Sequence, residues 1–145
     1  MKEKKIQYLF VTWYGQKYPQ YYGHLIEINN DAETFQKIQH RRAMGMIPGA
    51  SDLLLIAPGF ARVAGIEIKA PGSKHARKHI ERQMFFGKVV NRAGGVYLIT
   101  AKIDVLKKFA DAIMDNDWQT ARALAGAEWD EILEKLKTGK KEIKF

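Results

Sequence analysis

Between Ser51 and Ala70 the chain carries two apolar segments joined by Gly59–Ala61, and this pairing constrains the fold more than any other stretch. Pro58 stops the first segment, SDLLLIAP, and Gly59 opens the turn. In the second segment, Arg62–Ala70, Ile66 and Ile68 alternate with Glu67 and Lys69. A strand has a side-chain period of two, which predicts both isoleucines on one face and Glu67 with Lys69 on the other. Pro71-Gly72 then ends the strand. The expectation is a β-hairpin at the centre of the domain.

Helical spacing surrounds that hairpin. Ile6, Leu9, Phe10 and Trp13 fall at i, i+3, i+4 and i+7, predicting a first helix buried on that stripe and ended by Gly15. His24–Asn29 reads as a strand, and a second helix starts from Asp31 as N-cap, with Glu33 and Thr34 in its first turn. It runs to Met44 and stops at Gly45. His75–Ala93 reads as a helix with Ile80, Met84 and Gly87 on one face, and Val96–Thr100 as a buried strand. Asp104–Met114 is a helix burying Leu106, Phe109, Ala110 and Ile113. A last helix around Trp129, Ile132, Leu133 and Leu136 is expected on the outside. The order α-β-α-β-β-α-β-α-α defines an α/β domain.

With 145 residues the chain fits one domain, and 46% hydrophobic with 28% charged residues excludes an extended disordered protein. Having no cysteine, it excludes disulfides, thiolate metal sites and thiol catalysis. Its strongest apolar run, Leu53–Ala57, is far short of the ~18–20 residues that span a bilayer. The basic start Met1–Lys5 is not followed by the apolar stretch of an export signal, so a cytoplasmic location is expected. The net charge of +8 is unevenly placed. Residues 62–92 hold eight cations and two anions, residues 104–134 three cations and eight anions, and Lys135–Phe145 returns to net +4. Such a basic middle suits a polyanion, nucleic acid above all.

The chemistry-bearing residues lie on the hairpin. Asp52 begins its first strand, and Glu67 and Lys69 lie on its second. Two carboxylates from adjacent strands can meet on one hard cation, with a lysine beside them on the same face. Taken alone, Glu67-x-Lys69 reads as a cross-strand salt bridge, since any strand can carry that tripeptide.

The wider pattern resembles a known family. Gly45-Met46-Ile47-Pro48-Gly49-Ala50-Ser51-Asp52-Leu53, Ile66-Glu67-Ile68-Lys69-Ala70-Pro71-Gly72 and Gln83 resemble the VRR-NUC (virus-type replication-repair nuclease) family of the PD-(D/E)xK nuclease superfamily. The separation of fifteen residues between Asp52 and Glu67 fits, while Ser51 stands where the family usually has proline. The resemblance spans roughly residues 24–114, leaving 115–145 as a C-terminal helical extension of one domain, 1–145. It implies a restriction-endonuclease-like core, a mixed central β-sheet flanked by helices.

Residue by residue, the resemblance implies that Asp52, Glu67 and the Ile68 carbonyl bind Mg²⁺ or Mn²⁺. It makes Lys69 the catalytic lysine and brings Gln83 back from its helix to the water or a phosphate. Glu3, with Gln7 one turn on, stands where many members carry a further site glutamate; a solvated N-terminal glutamate is the alternative. Lys74, Arg77 and Lys78 suit phosphate contacts, joined by Arg41 and Arg42 unless these only favour their helix C-terminus. Glu27 is read as a partner within the sheet. His75 and His79 are spaced for a transition metal if helical but lack a third ligand, and Tyr18, Tyr21 and Tyr22 suit core packing, a dimer surface or base stacking. The implied activity is Mg²⁺-dependent, structure-specific DNA endonuclease action on branched DNA such as four-way junctions. The expected state is a homodimer without nucleotide cofactor or membrane, bacterial or phage-encoded. Two other readings stand beside it: a non-catalytic nucleic-acid-binding module on the same fold, and a nuclease subunit needing a partner protein.

Overall fold

The computed structural model describes residues 1–28 and 34–145. The proposed cap Asp31 and Glu33 lie outside the described residues. Helix α1 (Glu3–Lys17) is followed by a 3₁₀ turn at Pro19–Tyr21, strand β1 (Leu25–Glu27) and helix α2 (Phe35–Ala43). The central strands β2 (Leu53–Ile56) and β3 (Val63–Ile68) come next. Then follow β4 (Lys74–Ala76), α3 (Arg77–Arg92), β5 (Val96–Thr100), α4 (Ile103–Met114), α5 (Trp118–Leu136) and β6 (Glu142–Lys144). The main sheet has the order β1-β2-β3-β5, antiparallel up to β3 and parallel between β3 and β5. Helix α3 makes the crossover that a parallel pair requires.

The alternation in β3 sorts the core into two halves. Ala64, Ile66 and Ile68 join Ile6 and Phe10 of α1, Leu98 of β5, and Leu106, Phe109 and Ala110 of α4 in one apolar cluster. On the other side Ile80 and Met84 of α3 meet Tyr97 and Ile99 of β5 and Ile132 of α5. That second side also receives Glu67, Lys69 and Gln83, so the polar residues are built into a wall of the core.

Several local expectations change. Gly15 does not end α1, which runs on to Lys17; the chain leaves the helix at Tyr18, just before Pro19. The buried stripe of α1 is Ile6, Phe10 and Tyr14, with Leu9 exposed and Trp13 half-buried, because the helix meets the sheet one position further round. Helix α2 is capped by Thr34, whose Oγ1 accepts from the Lys37 amide. His75 is not helical: it lies in β4, which pairs with β6, a strand the apolar pattern does not reveal because it is three residues long with only Ile143 buried. Helix α5 starts at Trp118, capped by Asp117, and reaches inward rather than lying outside, burying Trp118, Ala121, Ala125 and Ile132.

Candidate active site

The register of β2 and β3 sets the site. Leu53 pairs with Ile66, so one step further Asp52 stands opposite Glu67, and opposed residues of an antiparallel pair share a face. The approach to Asp52 is held by Gly49. It has a φ of +84°, and a Cβ there would lie 2.7 Å from the Arg82 carbonyl carbon, so the loop can rest directly on the backbone of α3.

Asp52 Oδ2 accepts the Ile68 amide at 2.8 Å. Glu67 Oε1 receives two donors: Lys69 Nζ at 3.1 Å and the Gln83 amide nitrogen. Glu67, Lys69 and Gln83 are only 4%, 2% and 2% exposed. Yet Glu67 Oε2 and Gln83 Oε1 are buried without a hydrogen-bond partner. Burial and then the Asp52 charge push the Glu67 carboxyl up to about 8, against the pull of Lys69. Burial likewise raises Asp52, opposed by the Ile68 amide and by Lys69. Asp52 and Glu67 act on each other across the strand pair, and two carboxyls beside one ammonium form an oxygen donor set short of positive charge. The donor set therefore fits a hard divalent ion: paired carboxylates, one orphaned oxygen, no sulfur. Among the described residues no group of three or more histidine, aspartate or glutamate side chains is placed to hold a metal ion, and this site offers two carboxyls.

The remaining expected residues are placed as follows. Glu3 comes to the rim of the site, its Oε1 3.1 Å from His75 Nε2, and its charge reaches both Asp52 and Glu67. Ile68 contributes its amide to Asp52; a part for its carbonyl belongs to the functional proposal. Lys74 and Lys78 are exposed on β4 and α3. Arg77 is committed to packing: it donates to Glu81 at 2.8 Å and to the Leu136 carbonyl at 2.8 Å, tying α3 to the end of α5. Arg41 and Arg42 lie in the last turn of α2, where cations favour the helix terminus. Glu27 is exposed on β1 opposite Leu53. Tyr18 and Tyr21 pack against the main core, with Tyr18 hydrogen-bonded to Asp111, whereas Tyr22 is 96% exposed.

Three residues that the sequence does not assign to the site are its neighbours. His79 contacts the Gln83 amide at 3.0 Å, a pairing that its i, i+4 spacing allowed. Tyr97 lies over Gly65 with its hydroxyl buried and unpartnered, and burial, then the charges of Glu67 and Asp52, hold the phenol protonated. Ser51, also buried with an unpartnered hydroxyl, sits beside the same glycine. The registers of three strands decide both placements, and a single sequence does not give them.

The architecture is found elsewhere. A solved structure described as a VRR_NUC domain protein matches it with a TM-score of 0.56 at 19% identity, covering 74% of this chain and 87% of that one. No protein-family model matches the sequence, and no curated protein does. The chain thus has the fold of VRR-NUC domains: a mixed central sheet flanked by helices. No helix among the described residues is long and apolar enough to cross a membrane.

Proposed function

We propose that the protein is a metal-dependent nuclease of the VRR-NUC type that hydrolyses phosphodiester bonds in DNA. The observation that carries this reading is the pair of half-buried Asp52 and buried Glu67, opposed where β2 and β3 meet, with Lys69 on one oxygen of Glu67 and the other oxygen unpartnered. A salt bridge serving stability alone does not need a second carboxyl facing it.

Asp52, Glu67 and the Ile68 carbonyl hold Mg²⁺ or Mn²⁺, which when bound polarises a phosphate and acidifies water. Gln83 and Lys69 fill one oxygen of Glu67 and leave the other without a partner. One of the three Lys69 donors is on Glu67, and its charge offsets negative charge that builds up on the phosphate. Lys74 and Lys78 contact the DNA backbone, which gives affinity and register without reading sequence. Cutting a four-way junction symmetrically needs two such sites, so the working form on branched DNA is a homodimer, each copy supplying one.

The test is a cleavage panel of labelled linear, flap, fork and four-way junction DNA, with Mg²⁺, Mn²⁺ or EDTA, using wild type and Lys69→Ala. The expected result is cutting by wild type that needs the metal and is lost in Lys69→Ala. Binding of branched DNA without any cutting gives the fold a purely binding role. Activity appearing only when a second protein is added makes it a subunit, and the mass in solution separates that case from a self-contained dimer.

A further inference from the structure

We propose that His79 is a positioning residue of this site: its Nε2 accepts a hydrogen bond from the Gln83 amide and thereby fixes which end of that amide faces Glu67. The inference rests on the nuclease reading for its catalytic meaning, but its geometry stands apart from it. Gln83 Nε2 lies 3.0 Å from His79 Nε2 and also donates to Glu67 Oε1. An amide nitrogen has two hydrogens and no lone pair to offer, so the imidazole nitrogen is the acceptor and its proton sits on Nδ1. Turning the amide over would place its oxygen against the Glu67 carboxylate, two acceptors in contact, so an ionised Glu67 admits one arrangement.

That arrangement has a consequence one bond further on. With Lys69 and the Gln83 NH₂ both on Oε1, Oε1 is filled and Oε2 is left buried and bare. His79 thus acts through Gln83 on the choice of which carboxylate oxygen is presented. The surroundings of the imidazole favour a neutral ring: partial desolvation, then Lys69 just after β3, His75 of β4 and Arg82 of α3 oppose its protonation, while Glu3 of α1 favours it. His79 is exposed at the surface while Gln83 is buried, so the hydrogen bond spans the rim of the site and its floor.

Two substitutions separate positioning from bulk. His79→Gln keeps a neutral acceptor at a similar reach, and His79→Phe keeps a planar ring without one. The expected outcome is a loss of about 10–100-fold in kcat for His79→Phe, the range typical of groups that orient a metal-site ligand, with KM little changed. His79→Gln recovers most of it. The second readout needs neither DNA nor metal: nitrogen-15 NMR of the wild-type imidazole at pH 9.5, where Glu67 is ionised, shows Nδ1 protonated and Nε2 bare. Observing the Nε2–H tautomer, or finding His79→Phe as active as wild type, overturns the proposal. Should wild type cut no DNA at all, the nuclease reading fails, and the tautomer still decides the role of His79.

Discussion

Asp52 and Glu67 share the buried ammonium of Lys69, one positive charge beside two carboxyls, and their protonation follows from that shortage. Glu67 ordinarily ionises at 4.5 and in the fold at about 8, so without metal the folded state keeps a proton that the unfolded chain has released. Its contribution to stability is complete below about pH 4.5 and lost as the pH rises through about 8. Asp52, also raised, acts in the same sense, whereas His75 and His79, held below 6.5 chiefly by partial desolvation, act in the opposite sense below that value. Between pH 6.5 and 8 the raised carboxyls therefore govern. Urea unfolding in EDTA should show stability falling across that window, by at most about 1.4 kcal/mol per pH unit for Glu67. Glu67→Gln should remove most of the slope, and saturating Mg²⁺ should oppose it; a flat wild-type profile in EDTA would contradict the buried pair. Asp52→Asn tests the same pair through function. Cleavage should be lost while DNA binding, read by fluorescence anisotropy, is kept or improved, because a buried negative charge facing phosphate has gone. Near wild-type cutting by that variant would take Asp52 out of the site.

At the scale of elements, the site rests on how closely α3 approaches the sheet, and Gly87 sets that approach. A Cβ at Gly87 would lie 2.5 Å from Tyr97 Cδ1 and 2.9 Å from the Trp129 ring, so α3, β5 and α5 meet where this side chain is missing. Gly87→Ala should cost about 1–3 kcal/mol in chemical unfolding, the usual range for overpacking. Gly126, within α5, has nothing within 4 Å of a built Cβ, so Gly126→Ala should stabilise by roughly 0.5–1 kcal/mol. Equal effects at the two glycines would refute the close packing at Gly87. The apolar pattern does mark Gly87 as part of the buried face of α3 with Ile80 and Met84, as it marks the alternation that sends Glu67 and Lys69 to one side of β3. It does not show the one-residue shift that buries Tyr14 instead of Trp13, because two aromatic stripes on α1 compete and the partner decides. Nor does it show the β4–β6 ribbon, whose six residues include four exposed ones. Asp52, Glu67, Lys69 and Gln83 were legible because strand parity and motif spacing are local properties. His79, Ser51 and Tyr97 joined them only once registers and helix rotation were known.

Across the whole molecule, the basic and acidic stretches of the chain fall on different elements, and Asp130 and Glu134 of α5 come to lie beside Arg77 of α3. The basic residues 62–92 form β3 and α3 with the ribbon strand between them, and α3 covers the sheet face that bears Glu67 and Lys69. Helix α4, with Asp104, Asp111 and Asp115 at or near it, packs with α1 on the opposite face. A surface depression lined by Pro48, Lys78, Glu81, Arg82 and Phe85 brings two exposed cations and an exposed aromatic ring together, next to the loop where Gly49 touches Arg82. If DNA lies along this side, its affinity is governed by counterion release from the phosphates met there, and each such contact contributes close to one unit to the slope of log K against log salt. Lys78→Gln should therefore weaken binding of every DNA sequence alike and flatten that slope by about one unit. Lys108→Gln, an exposed change of the same charge on α4, should leave the slope where it was. Both variants lower the net charge of +8 by one, so a general attraction between a basic protein and DNA would move the two slopes together. Anisotropy titrations at several salt concentrations distinguish the cases, and parallel shifts would mean that α3 does not form the DNA-bearing face.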